Sequence, residues 1–229
     1  MRRPVVLLGL GSCLFATPAA ARDGAWYVGG DFGAMIVEDV EFDFGAGTEV
    51  TLDHEYGYDG ALFVGYDLGT FRLEAEVAYK RAHVDEIETL IVLPGMTIAP
   101  VPPQTVIDGG GRTSALSFMI NGMLDFGDDD GISGFVGGGG GVARVHYSGI
   151  RAFENHPAFI DDSDTRFAWQ IVAGVRQAVS DNIDVTVRYR FFNVHNASAA
   201  DFGGFDSESR FRSHSVLGGI TFNFGAPPN

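Results

Sequence analysis

The chain has 229 residues, 45% hydrophobic and 20% charged, and its 30 acidic side chains outnumber 15 Lys and Arg for a formal charge of -15. That balance argues against nucleic acid as a partner, because a phosphate backbone is met by basic surface. A single cysteine, Cys13, rules out a disulfide framework and a thiolate metal centre.

At the start of the chain, Arg2 and Arg3 precede a short apolar run, and Pro18 leads into Ala19-Ala20-Ala21. Residues 1–21 therefore read as a signal peptide cut after Ala21. Leu10-Gly11-Ser12-Cys13 loosely matches a lipoprotein processing site, but the apolar run before it is short for that use. No segment approaches the roughly 20 apolar residues of a membrane-spanning helix. The expected organisation is a signal peptide over 1–21, one barrel domain over 22–225 and a short periplasmic tail over 226–229.

Eight segments alternate apolar and polar residues with the period of a strand, which sends successive side chains to opposite faces. The first presents Trp26, Val28, Phe32 and Ile36 on one face, and the second Tyr58, Leu62, Val64 and Tyr66. Asp67-Leu68-Gly69-Thr70 is a tight turn into FRLEAEVAYK at residues 71–80, where Phe71, Leu73, Ala75, Val77 and Tyr79 alternate with Arg72, Glu74, Glu76, Ala78 and Lys80. The fourth runs from Leu116 to Phe126, with Asn121 and Asp125 on its other face, and GDDDG at 127–131 turns the chain. The fifth spans Phe135 to Tyr147 through five glycines at 137–141. With no lysine-serine or helix after them, these glycines read as a bent wall under large neighbours rather than a phosphate loop. The sixth places Phe167, Trp169, Ile171 and Val175 opposite Gln170 and Arg176, and Ser180-Asp181-Asn182 is a third short turn. The seventh sets Ile183, Val185, Val187, Tyr189 and Phe191 against Asp184, Arg188 and Arg190, and the eighth ends on Val216, Ile220, Phe222 and Phe224.

Connections between these segments alternate long and short. The expected fold is all-β: an eight-stranded antiparallel up-and-down transmembrane β-barrel with four long outer loops, about 37–55, 84–112, 148–163 and 193–210, and three short periplasmic turns. Both mature termini then lie in the periplasm of a cell with an outer membrane. Val40, Phe42 and Phe44 alternate with Glu41 and Asp43, so the first hairpin is expected to continue above the bilayer and close near residues 45–47.

By phase, the lumen receives a charge network of Arg72, Glu74, Glu76, Lys80, Asp125, Arg144, Arg176, Asp184, Arg188 and Arg190, and His146 faces inward with them. A barrel of this size is filled by its own side chains, so these charges must pair. Counting residues up from each turn sets Glu74 or Glu76 across from Arg188 or Arg190. Two aromatic girdles are expected: Trp26, Tyr27, Tyr66, Phe71, Phe126, Phe135, Phe222 and Phe224 at the turn end, and Tyr79, Tyr147, Trp169, Tyr189 and Phe191 at the other.

Asp23-Gly24-Ala25-Trp26-Tyr27-Val28-Gly29, Gly65-Tyr66-Asp67 with Phe71-Arg72-Leu73-Glu74, and the closing residues 218–224 resemble the OmpA-type eight-stranded outer-membrane barrel in its alphaproteobacterial form. The resemblance implies the barrel. The chain departs from two-domain members, which continue through a Pro-rich hinge into a peptidoglycan-binding domain, because residues 225–229 look only like the start of such a hinge, so the barrel alone is expected. The resemblance also implies that Phe224 is similar to the terminal aromatic read by the outer-membrane assembly machinery.

The expected function is a structural outer-membrane barrel with a mostly plugged lumen and exposed interaction loops. A narrow porin-like channel is the alternative, and a lipid-modifying enzyme follows at a distance. His146-Tyr147-Ser148 has the His-x-Ser spacing of lipid A deacylases, but the inward phase assigned to His146 counts against that chemistry. The acidic residues at 38–55 lack the ligand spacing of a calcium loop. No catalytic residue, metal or cofactor is assigned. Expected partners are membrane lipid, lipopolysaccharide, the assembly machinery through the last strand and a surface partner at the outer loops, where residues 89–103 are apolar and rich in proline.

Overall fold

Period-two alternation carried over long stretches yields ten β-strands, and among the described residues there is no helix. A computed structural model describes residues 24–38, 40–43, 49–54, 56–89, 105–127, 131–151, 160–200 and 206–224. The strands are β1 (Trp26–Val37), β2 (Val40–Asp43), β3 (Glu49–His54), β4 (Gly57–Asp67), β5 (Phe71–Thr89), β6 (Thr105–Gly127), β7 (Ile132–Arg151), β8 (Ile160–Ser180), β9 (Ile183–Ala200) and β10 (Asp206–Phe224). The expected signal peptide with Cys13, the expected hairpin tip at 45–47, residues 90–103, the aspartates at 128–130 and the expected tail at 226–229 lie outside the described residues.

Eight of these strands close a barrel in which every neighbour is antiparallel. β1 pairs β4, β4 pairs β5, each strand from β5 to β10 pairs the next, and β10 returns to β1. Closure runs through twelve residue pairs from Trp26↔Phe224 to Val37↔Ser213, so no strand edge is left open along β1. The hairpin β2–β3 fills the wall above β1 and β4, pairing β10 on one side and β5 on the other.

A tilted strand needs about 9–11 residues to cross a bilayer. β5 to β10 have 18 to 23, so the barrel stands well above any membrane at the end away from the short turns. This narrows three of the expected long loops. Residues 84–89, 105–112, 148–151, 160–163, 193–200 and 206–210 belong to strands, because cross-strand pairing continues past the bulges at Val84/Glu86, Gly110/Arg112 and Tyr147/Ile150.

The short turns are built locally. Asp67 Oδ1 accepts the Gly69 amide at 2.7 Å and Gly69 adopts a φ of 95°, a left-handed conformation that suits glycine. Asn182 donates its side-chain amide to the Asn223 carbonyl at 3.0 Å, tying the β8–β9 turn to the last strand.

Nearer the short turns the outer face is a continuous apolar surface. Phe32, Leu62, Ile120, Phe167 and Val216 are each about half or more exposed, which a bilayer explains and water does not. Trp26 stacks edge-on to Tyr66 at 5.1 Å, and Phe71, Phe126, Phe222 and Phe224 are exposed near the same end. At the other end Tyr79 lies beside Tyr58, and Trp169 beside Phe191. Tyr147 does not join them. It is 0% exposed, and Tyr27 and Phe135 are also buried inside the barrel.

The expected phase of β7 is inverted. Phe135, Ala143, Val145 and Tyr147 point inward, whereas Val136, Val142, Arg144 and His146 point outward. Arg144 is therefore no part of the lumen network; it donates to Ser163 Oγ at 2.9 Å on the outer face. The physical reason lies in the glycines at 137–141, which carry no side chain to mark a face. Register with β6 and β8 decides the phase instead, and the odd-numbered glycines leave room for neighbours: a Cβ on Gly139 would fall on the Asn121 side chain and the Ile120 carbonyl.

Candidate functional site

The lumen is filled in layers. Nearest the short turns, Arg72 forms a two-pronged pair with Asp125, Nε to Oδ2 at 2.6 Å and Nη2 to Oδ1 at 2.8 Å. Neighbouring β5 and β6 place them almost opposite, since Arg72 is level with Met123. The guanidinium also lies 5.5 Å from the Tyr27 ring and 5.2 Å from the Phe135 ring, favourable faces for a cation. Arg176 sits at 4.0 Å from Asp67 and donates to Ser133 Oγ.

In the middle layer Arg188 from β9 crosses the barrel to β5 and β1. Its Nη1 meets Glu74 Oε1 at 3.1 Å and Glu76 Oε2 at 3.5 Å, and its Nε lies 3.2 Å from Asp31 Oδ2. Phe63 and Phe135 flank the guanidinium at 5.0 and 5.4 Å. Gln170 donates to Glu76 at 3.1 Å and to Asn121 at 2.8 Å, and Asn121 donates to Glu74. A Cβ on Gly219 would collide with Asp31 and Thr186, so the glycine provides the space that brings Asp31 into contact with Arg188.

One layer higher, Arg190 Nη1 donates to both Asp59 oxygens at 2.9 Å and Nη2 to Glu76 Oε2 at 2.7 Å. Ser215 completes Asp59 at 2.8 Å. Lys80 lies 3.6 Å from Asp59, with its ammonium 4.1 Å above the Phe192 ring. Asp184 is also buried, accepting from the Asn223 side chain at 2.8 Å.

Beside and above this layer the lumen is mostly apolar, with Thr113 and Ser213 as its buried hydroxyls. Met35, Val37, Ala82, Ala115, Met119, Ala143, Val145, Tyr147, Ala168, Phe192, Val194 and Phe211 form one buried cluster toward the long-connection end. The ions below are thus covered by hydrocarbon. Charges in such surroundings persist only when paired, and breaking one pair leaves an ion whose burial costs several kcal/mol.

Sequence reading set Arg72, Glu74, Glu76, Lys80, Asp125, Arg176, Asp184, Arg188 and Arg190 by phase, and all lie inside. It did not single out Asp31, Asp59 or the apolar cover. Asp31 and Asp59 do occupy the inward phase of β1 and β4, and that alternation was the available signal.

A second polar cluster sits outside the barrel at the rim. His214 Nδ1 is 2.7 Å from the Tyr189 hydroxyl, its Nε2 is 2.9 Å from Glu38 Oε1, and Arg212 reaches Glu38 Oε2 at 3.3 Å. The hydrogen bond from His214, then Arg212, hold the Glu38 carboxyl below the usual carboxylate value against its partial desolvation. His146 and Ser148 share the outward face of β7, contrary to the inward phase expected for His146, and among the described residues no hydrogen bond joins them. No group of three metal-ligating side chains occurs among the described residues.

A family model described as outer membrane protein beta-barrel domain matches residues 5–224. The curated outer membrane protein PagN of Salmonella typhimurium strain LT2 is 23% identical over 177 residues, spanning 73% of each protein. Among solved structures, Neisserial surface protein A superposes with a TM-score of 0.52 at 17% identity, covering 88% of this chain and 100% of that one. OprG from Pseudomonas aeruginosa gives 0.55 at 12% identity, over 90% and 98%. At these identities the two structures speak for a shared fold.

Proposed function

The chain belongs to the outer membrane protein beta-barrel family, and from that membership we propose that it is a structural outer-membrane barrel with a plugged lumen and an interaction surface at its outer rim. The observation that carries this reading is the pair of buried guanidiniums, Arg188 and Arg190, spanning the lumen between Asp31, Asp59, Glu74 and Glu76 beneath an apolar cover. A solute path would have to separate these ions and wet the cluster above them.

Gly24 and Phe224 lie at the end of the short turns. With the tall end facing out, both mature termini face the periplasm, the lipid-exposed wall meets phospholipid and lipopolysaccharide, and the last strand with its exposed Phe224 is what the assembly machinery engages. The extended pair β5 and β6, Phe71–Thr89 with Thr105–Gly127, carries the surface offered to an external partner.

Arg188 touches Asp31, Glu74 and Glu76 together, so it can exchange one carboxylate for another; this favours a narrow ion channel as the second reading. Planar-bilayer recording on the refolded protein separates the two. The wild type is expected to show no steady conductance, and Glu76→Ala to introduce openings. Steady openings in the wild type would replace the plug with a channel. Fatty acid released from lipid A and abolished by Ser148→Ala would assign an enzyme instead.

A further inference from the structure

The upper outer wall of β5 to β7 carries a run of basic side chains that the lumen does not use. Arg81 and His83 on β5, Arg112 on β6, and Arg144 and His146 on β7 all lie on the outward face. Register gathers them: Arg81 is opposite Ser114, Ser114 opposite His146, and His146 opposite Ser163, while His83 faces Arg112 and Arg144 lies between Leu116 and Thr165. With strands about 4.8 Å apart and residues rising about 3.3 Å each, the three arginine Cα atoms stand roughly 8–14 Å from one another. Their side chains can converge on one headgroup.

Among the described residues no carboxylate pairs with Arg81, Arg112 or Arg144. In a chain of net charge -15 this is unexpected, since like charges on neighbouring strands repel. The opposite wall shows the ordinary solution, with Glu38 taking both Arg212 and His214. Beside and below the cluster β5 to β8 expose Tyr79 and Leu116, level with Arg144, then Phe118, Val142 and Phe167. A cationic layer set on an apolar layer matches a lipid whose phosphates lie above its acyl chains.

We propose that Arg81, Arg112 and Arg144 form a binding site on the outer face of β5–β7 for the phosphorylated glycolipid headgroup of the outer leaflet, with acyl chains lying on Leu116, Phe118, Val142 and Phe167. Guanidinium suits this ligand because its planar fork bonds phosphate oxygens in pairs and remains charged at every physiological pH. Ser114, Ser163 and Thr165 supply hydroxyls around the same spot. The site rests on the reading that the tall end of the barrel faces outward.

The test is titration of the purified full chain in detergent with bis-phosphorylated lipid A, followed by native mass spectrometry. Each guanidinium near an anionic headgroup is expected to contribute roughly fivefold, so Arg81→Gln/Arg112→Gln/Arg144→Gln should bind roughly a hundredfold more weakly. Arg212→Gln on the opposite wall should bind as the wild type does. Dephosphorylated lipid A should bind weakly to every variant, and inorganic phosphate at the same concentration should not displace the lipid. Heat-modifiable gel mobility identifies folded protein, and Arg112→Gln serves if the triple variant does not fold. Equal binding by folded wild type and variant, or displacement by inorganic phosphate, overturns the site. Orientation is read separately, by labelling Tyr56→Cys and Asp181→Cys in intact cells with an impermeant maleimide. Labelling at position 56 with loss of the arginine effect sinks only the headgroup site, whereas labelling at position 181 alone sinks the outward reading and the site with it.

Discussion

Arg188→Met tests the plug at its most connected ion. The substitution keeps a long apolar side chain near Phe63 and Phe135 but removes the cation from Asp31, Glu74 and Glu76. In the wild type, four carboxylates (Asp31, Asp59, Glu74, Glu76) face three cations (Lys80, Arg188, Arg190); after substitution four face two. Arg188 is 1% exposed, so water does not screen the imbalance. Removing one partner from a buried ion network costs about 3–5 kcal/mol. Urea unfolding in phospholipid vesicles, followed by Trp26 and Trp169 fluorescence, measures the loss. Glu74→Gln in the same background leaves three carboxylates against two cations with little change of shape, and should restore at least about 1 kcal/mol. A loss below about 1 kcal/mol for Arg188→Met, or no recovery in the double variant, would mean that packing rather than charge pairing holds the lumen.

Gly141→Ala and Gly218→Ala separate crowded from open positions in the wall. A Cβ at Gly141 would press on the Phe118 carbonyl and Met119, so the variant should lose about 1–3 kcal/mol in the same unfolding assay, whereas Gly218 has nothing near it and its variant should stay within about 0.5 kcal/mol. Glu38 makes stability depend on pH. Because its folded-state pKa is depressed, its contribution is complete above the unfolded carboxylate value near 4 and is lost as pH falls through the lower folded value. Its exposure keeps the effect under about 1 kcal/mol. Unfolding midpoints of wild type and Glu38→Gln should therefore differ at neutral pH and converge in acid.

Alternation is a property of the chain itself, so one pass along it was enough to find the barrel and to face Phe71, Leu73 and Tyr79 outward and Arg72, Glu74 and Glu76 inward. In β7 that signal fails. Five glycines separate Phe135 from Tyr147, and two aromatic ends in the same phase look like girdle residues until β6 and β8 fix them inside. The misplaced Arg144 and His146 then join Arg81 and Arg112 on the outer wall, a juxtaposition that no stretch of sequence contains.

Partner choice inside the lumen was equally out of local reach. Arg190 and Asp59 stand 131 positions apart, and only closure of β1 on β10 brings Asp31 to Arg188. The apolar cover also draws Met35, Met119, Phe192 and Phe211 from four strands. The sequence by itself determined that strands form, how many close the barrel and, outside the glycine run, which face meets lipid, because a strand's two-residue period needs no distant contact. The tertiary structure decided which charges meet, where apolar side chains gather in the lumen and how β7 is turned, because each depends on cross-strand register and on the space that neighbouring side chains leave.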